Sequence, residues 1–337
     1  MDGTLLGRAR AWIFGGIGII AAAGVIGLLA LMWWWDYEPP HFDVAATTQT
    51  RIAAKGGRLV TGAVTTSALM SSAETLLDKR GGYLSNDRLP PGVLMDNVPN
   101  WEFGVLTATR DLARALRNDF SRSQTQSVED KDLQEADPLF SSPNDRWLLP
   151  SSESQYRKAI DHVGAYLARL GDNDDSNAQF YARADNLADY LQVVSARLGS
   201  LSQRLSAAAG QVRLDTDLGG DPHAQQSTPA PSPRLVQTPW AKIDDNFYEA
   251  RGYTWALREQ LEAIRIDFAP ILASKNAAVS LEQVIRELEE SQKSLGSPIV
   301  LNGTPFGFFA NHSLVMANYI SRANAAVIDL RELLKRG

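Results

Sequence analysis

The sequence predicts an all-α protein: one N-terminal transmembrane helix followed by an elongated helical bundle with long heptad-patterned helices. Three observations carry this prediction. Residues 11–35 run 25 positions without a charge. Apolar residues recur at alternating spacings of four and three along 180–212 and again along 240–268. No segment sustains the period-two alternation of a half-buried strand. LVTGAVTT (59–66) comes nearest, and its neighbours favour helix.

The uncharged run, AWIFGGIGIIAAAGVIGLLALMWWW, suffices to cross the ~30 Å hydrocarbon layer at ~1.5 Å per residue. A cleavable signal has a shorter apolar core and a small-x-small cut site. This run ends instead in Trp33, Trp34 and Trp35, whose amphipathic rings suit the headgroup layer. Pro39 and Pro40 then stop the helix and stiffen its exit. Arg8 and Arg10 precede the run, and no further Lys or Arg occurs until Arg51. The positive-inside rule therefore places the N-terminus in the cytoplasm and the body outside, which in a Gram-negative bacterium means the periplasm.

The body reads helical throughout. One amphipathic stretch spans 57–80 and ends at Gly81-Gly82, and a second runs from Trp101 to Phe120. Residues 121–150, broken by Pro138, Pro143 and Pro150, are expected to be mostly loop. Ser152-x-x-Gln155 reads as a capping box before Tyr156, Ile160, Val163, Leu167 and Leu170, with Gly171 as the stop. The four-three seams then run from Phe180 to Val212 and from Trp240 to Phe268, the latter closed by Pro270. The segment between them, poor in apolar residues, reads as flexible linker, so the simplest assembly is an antiparallel hairpin of two long helices, the first ~50 Å long. Ser280-x-x-Gln283 caps a further helix, and Met316 to Leu334 repeats the same rhythm.

The boundaries that follow are a cytoplasmic tail (1–10), the transmembrane helix (11–35), a periplasmic helical region (36–218), a flexible Pro/Ser/Gln-rich linker (219–234) and a C-terminal helical region packing on the first (235–337).

Chemistry is sparse. A net charge of −6 supplies no basic footprint for nucleic acid. The absence of cysteine removes thiol catalysis, Cys-ligated metals and disulfides. His41, His162, His223 and His312 are scattered, and none belongs to a zinc-binding helix motif. Asp172, Asp174 and Ser176 fall at calcium-loop spacing, but Asn177 and Arg183 stand where that loop needs Gly and Glu. Asp215, Asp217 and Asp221 are a similarly weak cluster. No nucleophile elbow or phosphate-binding loop is present, so neither catalytic residues nor a cofactor are expected. Phe306, Phe308 and Phe309, in a loop bent by Gly303, Pro305 and Gly307, are expected to close the end of the bundle. The alternative for these rings is contact with a partner or with lipid.

WWWDYEPP (33–40), PNWEFG (99–104), DRWLLPSSESQYRKA (145–159) and NHSLVMANYISRANAAVIDLRELL (311–334) resemble a family of uncharacterised proteobacterial single-pass inner-membrane proteins, classed as a domain of unknown function. The resemblance implies an envelope location and supplies no activity or site residues. The expectation is a non-enzymatic, membrane-anchored scaffold or adaptor for envelope maintenance or assembly. Its partners would be the bilayer, through 11–35, and another envelope protein; a homo-oligomer is left open. The alternatives are an envelope enzyme cleaving peptidoglycan or another glycan with a carboxylate pair, and a lipid or transport accessory protein.

Overall fold

The computed structural model describes residues 3–123, 128–172, 174, 176–213 and 234–336. The chain is all-α. The first helix, α1 (Gly3–Trp35), contains Phe14–Trp35, a 22-residue stretch long and apolar enough to cross a membrane. None of its most apolar 18 residues is buried in the fold, so it is not a core helix. Its outward Ile and Leu side chains have no protein partner to cover them.

The body follows as α2 (Val44–Lys55), α3 (Ala63–Asp78), α4 (Asn97–Ala115), α5 (Lys131–Phe140), α6 (Ser152–Leu170), α7 (Ala184–Ser206), α8 (Ile243–Asp267), α9 (Ala269–Ser274), α10 (Ala278–Ser291) and α11 (His312–Lys335). A three-residue antiparallel pair, β1 (Gln211–Arg213) and β2 (Arg234–Val236), accompanies them. The helix expected over 57–80 begins later, at Ala63, and a separate helix not expected from the sequence, α2, precedes it. Gly56, in the left-handed region, ends α2, and Gly62 starts α3. A Cβ at Gly62 would meet the Phe180 ring at 2.1 Å, so this turn needs glycine. Gly62 offers no capping side chain; Asp267 caps α3 instead, accepting from the Thr65 N–H and hydroxyl at 2.7 Å each.

Three further expectations are corrected. The segment 121–150 contains α5, capped by Asp130, with Pro138 tolerated near its C-terminal end. The cap of α6 is Ser151, which accepts from the Ser154 N–H; the Ser152 hydroxyl turns inward to the carbonyl of Pro143. The first seam helix is shorter than expected, because Phe180 precedes α7 and Val212 lies in β1. At 23 residues α7 is ~35 Å long. The linker expected at 219–234 lies, apart from Arg234, outside the described residues, as do Asp215, Asp217, Asp221 and His223.

The seam positions of α7 and α8 are buried as read, from Leu187 to Leu205 and from Ile243 to Phe268. Trp240 is the exception at 83% exposed. The two helices do not pair mainly with each other: α7 packs along α11, and α8 packs along α4. The second pairing is set by glycine. A Cβ on Gly252 would meet the Trp101 carbonyl oxygen at 1.9 Å, and one on Gly104 would meet the Glu249 carbonyl oxygen at 2.1 Å. The two backbones therefore cross in near contact, with Trp101 and Trp255 at 5.3 Å beside the crossing. Gly252→Ala is expected to destabilise the body by ~1–3 kcal/mol, since backbone rather than a flexible side chain must yield. A thermal midpoint unchanged by this substitution would contradict the crossing.

Candidate functional site: the junction of anchor and body

The sequence WWWDYEPPHFD (33–43) leaves α1 and enters the body with almost every side chain engaged. The Arg80 guanidinium lies over the Trp34 ring at 4.3 Å and over the Tyr37 ring at 3.9 Å. Trp35 packs on Gly81, where a Cβ would come within 2.8 Å of the indole. Gly81 has φ +82°, so glycine is required there both by backbone and by contact. Trp33 remains 78% exposed. Arg8 and Arg10 lie in α1, with their side chains outside the described part.

The loop that presents Arg80 and Gly81 is fixed from beneath by a buried ion pair. Lys79 Nζ meets the Glu102 carboxylate at 2.6 Å, with both side chains removed from solvent. Glu102, on α4, also accepts from the N–H groups of Leu84 and Ser85 at 2.8 Å and from the Ser85 hydroxyl. Burial pushes the Glu102 carboxyl above the usual carboxylate range, against the opposing pull of Lys79 and these donors.

Further along, Glu38 is held by Arg251 of α8 through bonds of 2.8 and 2.6 Å. Arg251 is itself buried and donates to the carbonyls of Ser291, Gln292 and Lys293. One guanidinium thus clamps the exit segment and caps the C-terminal end of α10, where a positive charge is favoured. His41 Nδ1 meets the buried Glu259 carboxylate at 2.5 Å, and its ring stacks on Trp255 at 6.0 Å. Phe42 packs edge-on against the same indole. Asp43 then caps α2, accepting from the N–H groups of Ala45 and Ala46 at 2.9 Å. No free spacer separates anchor from body.

A cleft of about 290 Å³ opens beside this segment, lined among others by Asp36, Glu38, Trp101, Tyr248 and Arg251. Burial of its inner edge, then the charges of Glu38 and Asp96, raise the Asp36 carboxyl above its ordinary pKa. Tyr248 is pushed up to about 12, by burial first and by Asp36 and Glu38 next. The cleft holds two carboxylates, but Glu38 is committed to Arg251.

The other sequence-predicted residues lie elsewhere. Phe306, Phe308 and Phe309 do not close the bundle. They project from the loop ahead of α11, and Phe308 is 97% exposed. The loop is pinned at its base, where Asn311 bonds Asn302 at 2.8 Å and caps α11 through the Leu314 N–H. His312 Nδ1 accepts from the Leu301 N–H at 3.0 Å. Asp172 and Asp174 spend their carboxylates on the turn itself, accepting from the N–H groups of Asp174 and Ser176. Among the described residues, no group of three or more His, Asp or Glu side chains is placed to hold a metal ion. Sequence reasoning found the tryptophans but not their partners Arg80 and Gly81, nor the grip of Arg251 on Glu38 and of Glu259 on His41. The one local signal was the Gly81-Gly82 pair, which read only as a helix stop.

Across residues 8–337 the chain matches the model of a family described as "Uncharacterized protein conserved in bacteria (DUF2333)". No curated protein and no solved structure matches the chain.

Proposed function

We propose a function from one premise: the chain belongs to the DUF2333 family of bacterial proteins, matched over nearly its whole length. On our reading it is a rigid scaffold or adaptor of the envelope. It would be anchored in the inner membrane by α1, with the N-terminus cytoplasmic and the body periplasmic. The supporting observation is the junction, where Arg80, Arg251 and Glu259 hold the residues just beyond the span. A body that only needed tethering would tolerate a loose linker; fixing its position at the membrane suits a part that presents a surface to a partner. The arginines before the span, and their absence until Arg51, support the orientation.

The carboxylate-pair reading is less well supported, because Glu38 is neutralised by Arg251 and Asp96, the other acid beside Asp36, is engaged in capping α4. The lipid-carrier reading is less well supported: the larger hollows are lined by many charged and polar groups, and the mainly apolar groove beside Phe247, Leu295 and Met316 measures about 160 Å³, below the ~300 Å³ at which ligand pockets begin.

A reporter active only outside the cytoplasm, fused after Gly337, is expected to be active, and the mature chain is expected to retain Trp33–Trp35. A processed protein lacking these tryptophans would overturn the anchor. Co-purification of the intact protein from native membranes is expected to bring down another envelope protein. Glycan cleavage by the purified chain, lost in Asp36→Asn, would overturn the scaffold in favour of an enzyme.

A further inference from the structure

We infer that the end of the body from which α1 departs is itself a lipid-binding face, seated in the headgroup layer by loops far from the anchor in sequence. The inference rests on reading α1 as a membrane span and adds a second, independent contact with the same bilayer.

The direction of each helix fixes which loops share that end. The exit segment follows α8 from N- to C-terminus: Glu38 meets Arg251, and His41 meets Glu259. The start of α8 therefore points towards the span. α4 runs parallel to α8, since Asn100 bonds Asp245 at 2.9 Å while Gly104 faces Glu249. The loop before α4 thus lies at the span end. That loop binds the one before α6, where Asn86 donates to the Arg146 carbonyl and to Glu153 at 2.8 and 2.7 Å. α7 runs antiparallel to α8, because Arg204 pairs with Glu249 and Tyr190 with Gln260. α11 in turn runs antiparallel to α7, with Ser202 near Ala317 and Ser195 bonded to Asn324. The Phe loop ahead of α11 lies at the span end as well.

These loops carry the body's exposed apolar bulk. Leu89 and Leu94 project before α4, and Trp147 and Leu149 project before α6, Leu149 at 93% exposure. Trp240 precedes α8, and Phe306 and Phe308 precede α11. The opposite end differs. Among the described residues it exposes Leu59, Val128, Ile266 and Val279 as large apolar side chains, and no aromatic ring.

Exposed aromatic and leucine side chains on four separate loops, concentrated at one end, are not what a solvated surface needs. Tryptophan and phenylalanine on loop tips are suited to the boundary between headgroups and acyl chains. The occupant is argued from continuity: Met32 and Trp33 of the span line one hollow together with Leu94 and Met95. The face thus begins where the bilayer-embedded helix stops.

The chain has no cysteine, so single probes can be placed without background. Full-length Leu148→Cys, Trp240→Cys and Phe308→Cys, each carrying an environment-sensitive fluorophore, are reconstituted in phosphatidylcholine discs. Val128→Cys reports the far end, and Val25→Cys reports the span. All five positions are exposed on the protein, and unchanged thermal midpoints check that the variants fold. The three loop probes are expected to lose intensity with nitroxide-bearing lipid and to resist aqueous iodide, while the Val128→Cys probe does the reverse. Loop probes quenched by iodide alone overturn the inference. Loop probes shielded from both quenchers also overturn it, since a second copy or another protein then covers the face. If the Val25→Cys probe is itself unquenched by nitroxide lipid, the anchor reading fails first, so the two failures are distinguishable.

Discussion

Glu102→Ala is expected to destabilise the body by ~3–5 kcal/mol, the cost of breaking a buried ion pair by removing one partner. The substitution strands the Lys79 ammonium away from water. It also removes the acceptor for the buried Leu84 N–H and the part-buried Ser85 N–H. The raised carboxyl pKa says that desolvation outweighs the attraction within the pair, so the pair is costly to form and costlier to break. Lys79→Met combined with Glu102→Gln should therefore lose less than Glu102→Ala alone. The loss should also reach the anchor, because Lys79 directly precedes Arg80 and Gly81. In reconstituted full-length protein, the measurements are the denaturation midpoint and the rate of tryptic cleavage after Arg80. A double variant worse than the single one would show that the pair is strongly net stabilising and that this account is wrong.

The second large effect belongs to the α7 seam. Leu198 and Leu201 are both buried between α7 and its neighbours, with α11 as the main partner. Truncating a buried leucine to alanine costs ~2–5 kcal/mol. The two positions share one face and one cavity, so the double variant should fall short of, or exceed, the sum of the singles rather than match it. A fall in midpoint with no change in oligomeric state is the expected result. An unshifted midpoint accompanied by loss of a complex would mean that the seam serves another chain.

What the sequence revealed was local. The span and the four-three seams are periodic within one helix, and burial followed that period closely from Leu187 to Leu205 and from Ile243 to Phe268. α2 escaped because VAATTQTRIAAK buries only Val44 and Thr48, too little to print a period. α5 escaped because Pro138 looks like a breaker, although it lies where α5 is about to end. Helix partners were not legible from the seams. Leucine faces are interchangeable, and the choice of α4 for α8 was made by Gly104 and Gly252, which lie outside the seam pattern. The junction was half legible: WWWDYEPP marks the end of the apolar helix, but Glu38 finds Arg251 213 positions away, which no window of sequence displays.

The fastened junction has a mechanical consequence. A 22-residue apolar stretch is ~33 Å long, slightly more than a ~30 Å hydrocarbon layer, and in a membrane the excess would be taken up by leaning. A helix ending in a loose tether could lean without disturbing what it carries. Here Trp34, Trp35, Glu38 and His41 are gripped, so α1 could not lean without the bundle. On the proposed reading, a thinner or thicker bilayer would press the lean of α1 against the loops seated in the headgroups, so that lipid composition would load the junction itself.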